Sequence, residues 1–277
     1  MTKAEIQKEI IQAVETVRRT KPMVGSITNT VTINFVANAQ LAVGGSAAMV
    51  YLPDEGELLA QAGGATYINV GTLLPIYEQT LPQVAKVLHE TGKPWVLDPV
   101  AVGIGALRTR LLQRFKEDKP TVIRGNASEI IALAGLWGLD GGTAVSKVRG
   151  VDSTDSVDTA KTAAVALAKW TGGAVAVSGK TDLITDGSVI AFSHGGSDLM
   201  QKITGAGCSL GGVVAVYAAV ASPFIAALTA TAVYNLAGKR AEQRVQGPGS
   251  FQVQFLDELY QATAADIANN PFEIEEV

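Results

Sequence analysis

Apolar and polar positions follow a helical period over several stretches of the chain. In residues 3–19, Ile6, Ile10 and Val14 recur at helical spacing with charged residues between them, which predicts an amphipathic surface helix. The same period, or an acidic start after a proline, predicts further helices at residues 33–41, after Pro53, and at residues 74–90, 107–116 and 151–168.

Short apolar runs, typical of buried strands, alternate with these helices. They occupy residues 47–51, 65–70, 94–97, 121–123 and 174–177. The last run is apolar throughout, as expected of a parallel strand covered on both faces. Strands alternating with helices predict right-handed crossovers, and hence an α/β fold with a mainly parallel central sheet and helices on both faces. Since no change in composition marks a linker, we expect a single domain over residues 1–277.

Residues 203–238 contain no charged side chain. A stretch of this length is long enough to span a membrane. However, Ala and Gly dominate it and contribute little transfer energy, and Ser222-Pro223 interrupts it where a second helix would begin with proline in its first turn. The pattern therefore favours two buried helices over a membrane span.

Charge and cysteine content narrow the class of protein. The 277 residues are 47% hydrophobic and carry a formal net charge of −4 without a basic cluster, so we expect a substantial core and no binding of nucleic acid. The single cysteine excludes an internal disulfide, and the N-terminus lacks the basic-then-apolar pattern of a secretory signal. We therefore expect a cytoplasmic protein, and we expect its acidic tail at residues 273–276 to fray.

A glycine-rich turn at residues 203–212 leads directly into the uncharged segment. Gly205 and Gly207 flank Ala206 and carry no side chain. Successive backbone N–H groups can therefore point at an anion at the start of the helix. We therefore predict an anion hole formed by Gly205, Ala206 and Gly207. Cys208 lies in the first helical turn, where the helix dipole favours its thiolate. The alternative is a tightly packed glycine pair beside a small buried cysteine.

Polar residues follow three of the predicted strands, at the edge where open α/β sheets bind their ligands. They are Asp98, Arg124 and Ser178. Arg124 is suited to clamp a phosphate through two hydrogen bonds. Asp98 and Glu129 are suited to hold hydrated Mg²⁺, which takes one or two carboxylates together with substrate phosphates. Alternatively, Asn126 and Glu129 form a capping box at the start of the next helix, and the two roles are compatible.

Seven segments form an ordered series along the chain. They are Ile27-Thr28-Asn29, the turn Gly44-Gly45-Ser46 with Met49, Asn69-Val70-Gly71-Thr72-Leu73, Asp98-Pro99-Val100, Arg124-Gly125-Asn126-Ala127-Ser128-Glu129, Thr185-Asp186-Gly187 and Thr204-Gly205-Ala206-Gly207-Cys208. Together they resemble the hydroxyethylthiazole kinase family over most of the chain. The ordered set is more specific than any one of its motifs.

The resemblance implies the ribokinase-like three-layer fold and a kinase activity. Members of this family phosphorylate the side-chain hydroxyl of 4-methyl-5-(2-hydroxyethyl)thiazole with ATP and Mg²⁺ in thiamine biosynthesis or salvage. They form homotrimers with sites at the subunit interfaces. The alternatives are a kinase of another vitamin-precursor alcohol, of the hydroxymethylpyrimidine type, and a non-catalytic nucleotide-binding α/β protein.

The resemblance also implies roles for individual residues. It assigns Asn29, Met49 and Gly205 to the thiazole alcohol, Asp98 and Glu129 to Mg²⁺ and the phosphates, Arg124 and Ser178 to ATP, and Cys208 to the position of the catalytic base. Ser178 replaces the threonine usual in this family and keeps its hydroxyl. Gly25 and Ser26 stand where the family has His and Cys, which alters the expected wall of the thiazole pocket. On residue type alone, Met49 is also typical of a core position.

Overall fold

The structure is a computed structural model that describes residues 1–143 and 156–277. Its helices are α1 (Lys3–Thr20), α2 (Ile33–Ala42), α3 (Pro53–Ala62), α4 (Tyr77–Thr91), α5 (Ala106–Asp118), α6 (Ala127–Trp137), α7 (Val157–Thr171), α8 (Ala206–Ala218), α9 (Pro223–Glu242), α10 (Pro248–Gln261) and α11 (Ala264–Ala268). Its strands are β1 (Met23–Ile27), β2 (Ser46–Met49), β3 (Ala65–Asn69), β4 (Trp95–Asp98), β5 (Val122–Asn126), β6 (Ala174–Ser178), β7 (Asp182–Thr185), β8 (Val189–Ser193) and β9 (Phe272–Glu276). A short 3-10 helix at Asp198–Lys202 precedes α8.

The strands of the described residues form one nine-stranded sheet in the order β2-β1-β3-β4-β5-β6-β7-β8-β9. Strands β1 to β6 pair in parallel, whereas β7, β8 and β9 are joined by antiparallel pairing. The carboxyl ends of the six parallel strands therefore meet at one edge of the sheet, where ligands of α/β proteins bind.

Helices cover both faces of the sheet and divide the core into two clusters. Phe35 of α2 and Val213 of α8 pack on one face, together with Val96 of β4. Leu81 of α4 packs on the opposite face, together with Leu97 of β4. Successive residues of one strand thus enter different clusters, as the pleat requires. The predicted α/β fold, with helices on both faces of a mainly parallel sheet, is confirmed.

The uncharged segment folds as two buried helices, as predicted. Helix α8 is buried over nearly its whole length, and α9 begins with Pro223 at its first position. No helix in the described parts of the chain combines the length and the apolar character needed to cross a membrane. The helix predicted at residues 151–168 corresponds to α7 from Val157 onward, and residues 151–155 lie outside the described ranges.

Strand β1 forms in a segment for which the apolar pattern predicted no strand. Met23–Ile27 lies between β2 and β3 and is buried from Val24 onward. Its Gly25 and Ser26 weaken the local strand signal. The glycine is explained by packing, because a Cβ atom at Gly25 would lie 3.1 Å from Cβ of Leu59 in α3.

The acidic tail also differs from the expectation, since it is ordered as strand β9. It pairs antiparallel with β8, and the Phe272 side chain is buried. Glu275 forms an ion pair with Lys161, and Oε1 of Glu273 lies 3.8 Å from Nε2 of His194. Strand pairing and basic groups from distant segments thus offset the local density of negative charge, which a local pattern does not reveal.

Candidate active site

The pleat of the strands brings polar residues at their carboxyl ends to one face of the sheet. Tyr67 and Asn69 of β3, two residues apart, point to the same face as Asp98 of β4, Arg124 of β5 and Ser178 of β6. Helix α8 covers this face. Asp98, Arg124 and Ser178 are strand residues, not loop residues as the apolar pattern predicted, and the structure brings them together beneath the start of α8.

The Arg124 guanidinium lies at the centre of this group. Its Nη2 donates a hydrogen bond to Oγ of Ser178 at 2.7 Å, and its Nη1 lies 3.7 Å from Oδ2 of Asp98. The first turn of α8 lies directly against it, since a Cβ atom at Gly207 would be 2.8 Å from Nη1. Arg124 is only 8% exposed. A buried cation held between a carboxylate and a helix N-terminus favours an anionic ligand at this point.

The predicted anion hole coincides with the start of helix α8. Gly205 is the residue before the helix and has φ +94°, a conformation that side-chain-bearing residues rarely adopt. A Cβ atom there would also lie 2.9 Å from Thr32. Ala206, Gly207 and Cys208 follow as the first helical residues, whose N–H groups have no partner within the helix. The turn thus places three N–H groups without an intrahelical partner at the start of α8.

The Cys208 thiol shows a pKa shift opposite to the predicted one. Burial raises the pKa of Cys208 above its ordinary value, and the charge of Asp98 raises it further. Arg124 and a hydrogen bond from Asn29 Nδ2, at 3.3 Å from Sγ, act in the opposite direction without reversing the shift. In the ligand-free protein, burial and the charge of Asp98 thus oppose the preference for the thiolate that the helix N-terminus was expected to give.

Asp98 is completely buried, and its two carboxylate oxygens have different surroundings. Oδ2 accepts a hydrogen bond from the Tyr67 hydroxyl at 2.9 Å and faces Arg124. Oδ1 is buried and meets no hydrogen-bond donor from the residues that the structure describes. Burial raises the pKa of Asp98, while the neighbouring charge of Arg124 opposes the shift. Oδ1 is therefore the atom left open to a further partner.

Glu129 forms the capping box with Asn126 that the sequence predicted. Its Oε2 accepts from N–H of Asn126 at 2.9 Å, while Oδ1 of Asn126 accepts from N–H of Glu129 at 2.9 Å. Oε1 accepts from N–H of Ala101 at 3.3 Å. Burial, followed by the charge of Asp98, raises the pKa of Glu129 to about 7. Ala101 itself has φ +57°, which is strained for a residue with a side chain.

The carboxylates of Asp98 and Glu129 are of the ligand type that the predicted magnesium site requires. Among residues 1–143 and 156–277, no three His, Cys, Asp or Glu side chains cluster in a way that would hold a metal by themselves. Mg²⁺ does not need such a cage, because it keeps several waters and uses substrate phosphates as ligands. The unpartnered Oδ1 of Asp98, together with Glu129, matches that requirement.

Of the three residues predicted to contact the thiazole alcohol, Gly205 lies at the start of α8, and the other two lie in different places. Asn29 follows β1 and joins the cluster, because its Nδ2 reaches Cys208 and its Oδ1 accepts from N–H of Thr32 at 3.1 Å. Met49 is half-buried at the end of edge strand β2, opposite Ser26 of β1. Strand β1 thus separates Met49 from β3 and from the site residues that β3 carries.

Ser26, where the resemblance leads one to expect cysteine, is a buried hydrogen-bonding residue. Its Oγ accepts from Nε2 of Gln40 at 3.0 Å, and the same nitrogen donates to the carbonyl oxygen of Gly212 at 3.1 Å. Ser26 therefore ties β1 to α2 and α8.

Sequence reasoning assigned no functional role to Tyr67. The aromatic ring sits in an apolar run and was interpreted as part of a core strand, whereas its hydroxyl contacts both Asp98 and α8. Asn69 appeared only within a family motif. An asparagine that ends a buried strand at the ligand-binding edge is the signal that could have identified this group.

Comparisons with known proteins identify the family and the fold of this chain. The family model described as "HK: Hydroxyethylthiazole kinase family" matches residues 14–265. A hydroxyethylthiazole kinase of Bifidobacterium adolescentis is 53% identical over 273 residues, covering 95% of this chain and 93% of the relative. The structure of a hydroxyethylthiazole kinase protein from Pyrococcus horikoshii superposes with a TM-score of 0.85 at 31% identity, over 98% of this chain and 99% of the other.

A more distant structure supports the fold alone. A ribokinase-like superfamily protein of Enterococcus faecalis superposes with a TM-score of 0.62 at 15% identity, over 94% of each chain. The fold is thus ribokinase-like. The family model and the closely similar relatives extend over nearly the whole chain, and this protein belongs to the hydroxyethylthiazole kinase family of kinases.

Proposed function

We propose that this protein transfers the γ-phosphoryl group of ATP to the side-chain hydroxyl of 4-methyl-5-(2-hydroxyethyl)thiazole, in thiamine biosynthesis or salvage. Membership of the family supports the reaction and the acceptor. The observation that carries the proposal is the Arg124 guanidinium, which lies against the first turn of α8 and beside Asp98. Phosphoryl transfer depends mainly on positioning and charge stabilisation, and this arrangement supplies both.

The phosphate groups bind between α8 and β5 in this proposal. Backbone N–H groups of Gly205, Ala206 and Gly207 hold the γ-phosphate while negative charge spreads over its oxygens. Arg124 adds a fixed positive charge, and Ser178, which accepts a hydrogen bond from it, lines the nucleotide side. These groups are in place before ligand binds, so they need little reorganisation.

The acceptor hydroxyl binds near Asn29, Gly205 and Cys208. Its oxygen attacks the γ-phosphorus as the bond from that phosphorus to the β–γ bridging oxygen breaks, which releases ADP. Its proton passes to Sγ of Cys208 as general base. The hydrogen bond from Nδ2 of Asn29 to Sγ stabilises the thiolate form of Cys208, which accepts this proton.

Asp98 and Glu129 would hold Mg²⁺ together with the phosphates. A bound ion would supply positive charge that neutralises the phosphate oxygens. Asp98 contributes the buried Oδ1 that has no donor in the described structure. Glu129 contributes a carboxylate already oriented by two backbone N–H groups.

The assembly that fits this site is a cytoplasmic homotrimer of single-domain subunits. Met49 lies at an open edge of the sheet, and Leu52 and Leu58 near it in sequence are 48% and 64% exposed. A neighbouring subunit that covers this edge would bring its own residues to the thiazole side of the site.

A coupled assay that detects ADP tests the proposal. Purified protein is given Mg–ATP and either the thiazole alcohol or the hydroxymethylpyrimidine alcohol. We expect turnover of the thiazole alcohol, with a kcat/KM at least about 100-fold above that for the pyrimidine. Preference for the pyrimidine would identify a different vitamin-precursor kinase, and ATP binding without turnover of either alcohol would indicate a non-catalytic nucleotide-binding protein.

A further inference from the structure

The Tyr67 hydroxyl is the junction between two parts of the site. It lies 2.9 Å from Oδ2 of Asp98 and 2.7 Å from the carbonyl oxygen of Cys208. Asn69 donates a third hydrogen bond to it, from Nδ2 at 3.0 Å. The side chain is completely buried. One oxygen atom of β3 therefore connects β4 with the first turn of α8.

A count of protons shows how this junction works. A tyrosine hydroxyl has one proton to donate, and the nitrogen of Asn69 already donates to its lone pair. Asp98 and the Cys208 carbonyl therefore share a single donor. Whichever of the two acceptors receives the proton, the hydroxyl oxygen stays between Asp98 and the helix carbonyl.

The same contact decides which oxygen of Asp98 is open. Tyr67 and Arg124 both approach Oδ2, whereas Oδ1 meets no donor in the described part of the chain. A carboxylate fixed through one oxygen presents the other in a defined direction. Tyr67 thereby sets the orientation of the atom that the proposed function gives to Mg²⁺.

The network continues to the acceptor side. Oδ1 of Asn69 accepts from Nδ2 of Asn29 at 3.0 Å and from N–H of Gly71 at 2.9 Å. The same nitrogen of Asn29 reaches Sγ of Cys208. Asn69 thus uses its oxygen toward the acceptor side and its nitrogen toward Tyr67, and these partners determine the orientation of its amide.

Packing holds the Tyr67 ring against the backbone of α8. A Cβ atom at Gly211 would lie 2.5 Å from the ring and 2.9 Å from its hydroxyl oxygen. The ring therefore has no space to withdraw along this face, and its hydroxyl is held by shape as well as by hydrogen bonds.

We propose that Tyr67 and Asn69 are positioning residues for phosphoryl transfer, which act by coupling Asp98 and the first turn of α8 to Asn29. Neither residue needs to touch a substrate for this role. Tyr67 positions the groups proposed to bind metal and phosphate. Asn69 links these groups to the residues proposed to bind the acceptor alcohol. This inference rests on the proposed function.

The decisive variant is Tyr67→Phe, which removes one oxygen and keeps the ring. We expect kcat to fall by about 10-fold to 100-fold and the KM for Mg–ATP to rise, because Asp98 loses its fixed orientation. The KM for the thiazole alcohol should change by less than about twofold. Tyr217→Phe is the matched control, because Tyr217 is also a buried tyrosine but lies in α8. This variant should retain parent kinetics.

Two further measurements separate positioning from a merely structural role. In the background of Asp98→Asn, adding Tyr67→Phe should lower kcat by less than about twofold, because the two residues act as a unit. Asn69→Ala should lower kcat and also raise the KM for the alcohol. The inference would be overturned if Tyr67→Phe kept the parent kcat and the parent KM for Mg–ATP. It would also be overturned if the losses of kcat in Tyr67→Phe and in Asp98→Asn multiplied in the double variant.

A binding measurement keeps this test separate from the test of the proposed function. If the parent protein phosphorylates neither alcohol, the proposed reaction fails, and Mg–ADP binding by calorimetry then decides on Tyr67. We expect Tyr67→Phe to weaken Mg–ADP binding at least about fivefold relative to Tyr217→Phe, since the Asp98 orientation matters for the metal and phosphates alike. Equal affinities in these two variants would overturn the inference.

Discussion

At the scale of single residues, burial changes the chemistry of side chains in ways that their sequence neighbours do not indicate. Cys208 occupies a helix N-terminus, which by itself favours a thiolate. In the fold the thiol is desolvated beside the carboxylate of Asp98, and the pKa of Cys208 rises. Glu129, although held by two backbone N–H groups, has its pKa raised to about 7 for the same reason.

The raised pKa of Cys208 predicts the pH dependence of the rate. If the thiolate is the base, kcat should increase with pH through and above about 8.5, the ordinary value for a thiol, because the reactive form is scarce at neutral pH. Cys208→Ala should lower kcat by about 10²-fold and lose this increase, while thiazole binding stays nearly intact. Steady-state rates from pH 6 to 9.5 measure both effects.

Cys208→Asp provides the comparison for that experiment. A carboxylate is a weaker base than a thiolate but is more fully ionised at neutral pH, so this variant should retain activity with a flatter pH profile. If Cys208→Ala turned over the alcohol at the parent rate throughout the range, Cys208 would be a packing residue.

The raised pKa of Glu129 predicts a pH-dependent stability of the ligand-free protein. The folded state keeps the proton up to about pH 7, whereas the unfolded chain releases it near 4.5. The resulting stabilisation is fully present below pH 4.5 and is lost as the pH rises through 7. At about 1.4 kcal/mol per pKa unit, its upper limit is roughly 3 kcal/mol.

Urea unfolding between pH 4.5 and 8.5 measures this contribution. Glu129→Gln, which does not ionise, should show a smaller loss of stability over the range than the parent protein does. Glu15→Gln, at an exposed position of α1, serves as the control and should follow the parent. Identical pH profiles for Glu129→Gln and the parent would contradict the assignment.

At the scale of elements, the first turn of α8 is defined by its close contacts. Gly205 provides a positive φ, Gly207 gives space to Arg124, and Gly211 gives space to the Tyr67 ring. The glycine spacing therefore reflects one required backbone conformation and two neighbours from different strands. A helix rich in glycine is intrinsically weak, and α8 is stabilised by burial on all sides.

Gly207→Ala tests the contact between this turn and Arg124. The added methyl group would lie 2.8 Å from Nη1 and should displace the guanidinium, since the helix backbone cannot withdraw. We expect the KM for Mg–ATP to rise by about 10-fold or more, with little change in the KM for the alcohol. Gly249→Ala in α10, where a Cβ atom would meet no atom within 4 Å, is the matched control. Unchanged nucleotide kinetics in Gly207→Ala would contradict the contact.

At the scale of the whole molecule, the described sheet ends in two edge strands, β9 on the antiparallel side and β2 on the parallel side. Strand β9 closes the antiparallel side with a buried Phe272. Strand β2 forms the other edge, where Met49 is only half-buried and Leu52 is 48% exposed. An open edge flanked by exposed leucines is typical of a surface that another subunit covers.

If the protein is the proposed trimer, light scattering at micromolar concentration should give a mass three times that of the chain. Leu52→Glu should lower the trimeric fraction and raise the KM for the thiazole alcohol, because it places a charge at an exposed position just after β2, within the proposed interface. Tyr260→Glu, at a position of α10 that is 71% exposed, should leave assembly unchanged. A monomeric parent protein would refute the assembly.

Much of the fold follows from local patterns. Amphipathic periods predicted α1, α4 and α5, and continuous apolar runs predicted the central strands, since each pattern depends on the burial of one segment. The start of α9 was predicted from its proline, because proline is favoured at the first position of a helix. Asp98, Arg124 and Ser178 were predicted because the carboxyl ends of parallel strands meet at one edge.

Tertiary structure decided the features that depend on partners distant in sequence. Strand β1 has weak local signals, and β9 is acidic, yet both are strands because neighbouring strands pair with them. The junction at Tyr67 joins β3 with β4 and α8, a contact that no local period encodes. The pKa of Cys208 also depends on tertiary structure, because desolvation depends on everything packed around the thiol, whereas the helix dipole depends on the helix alone.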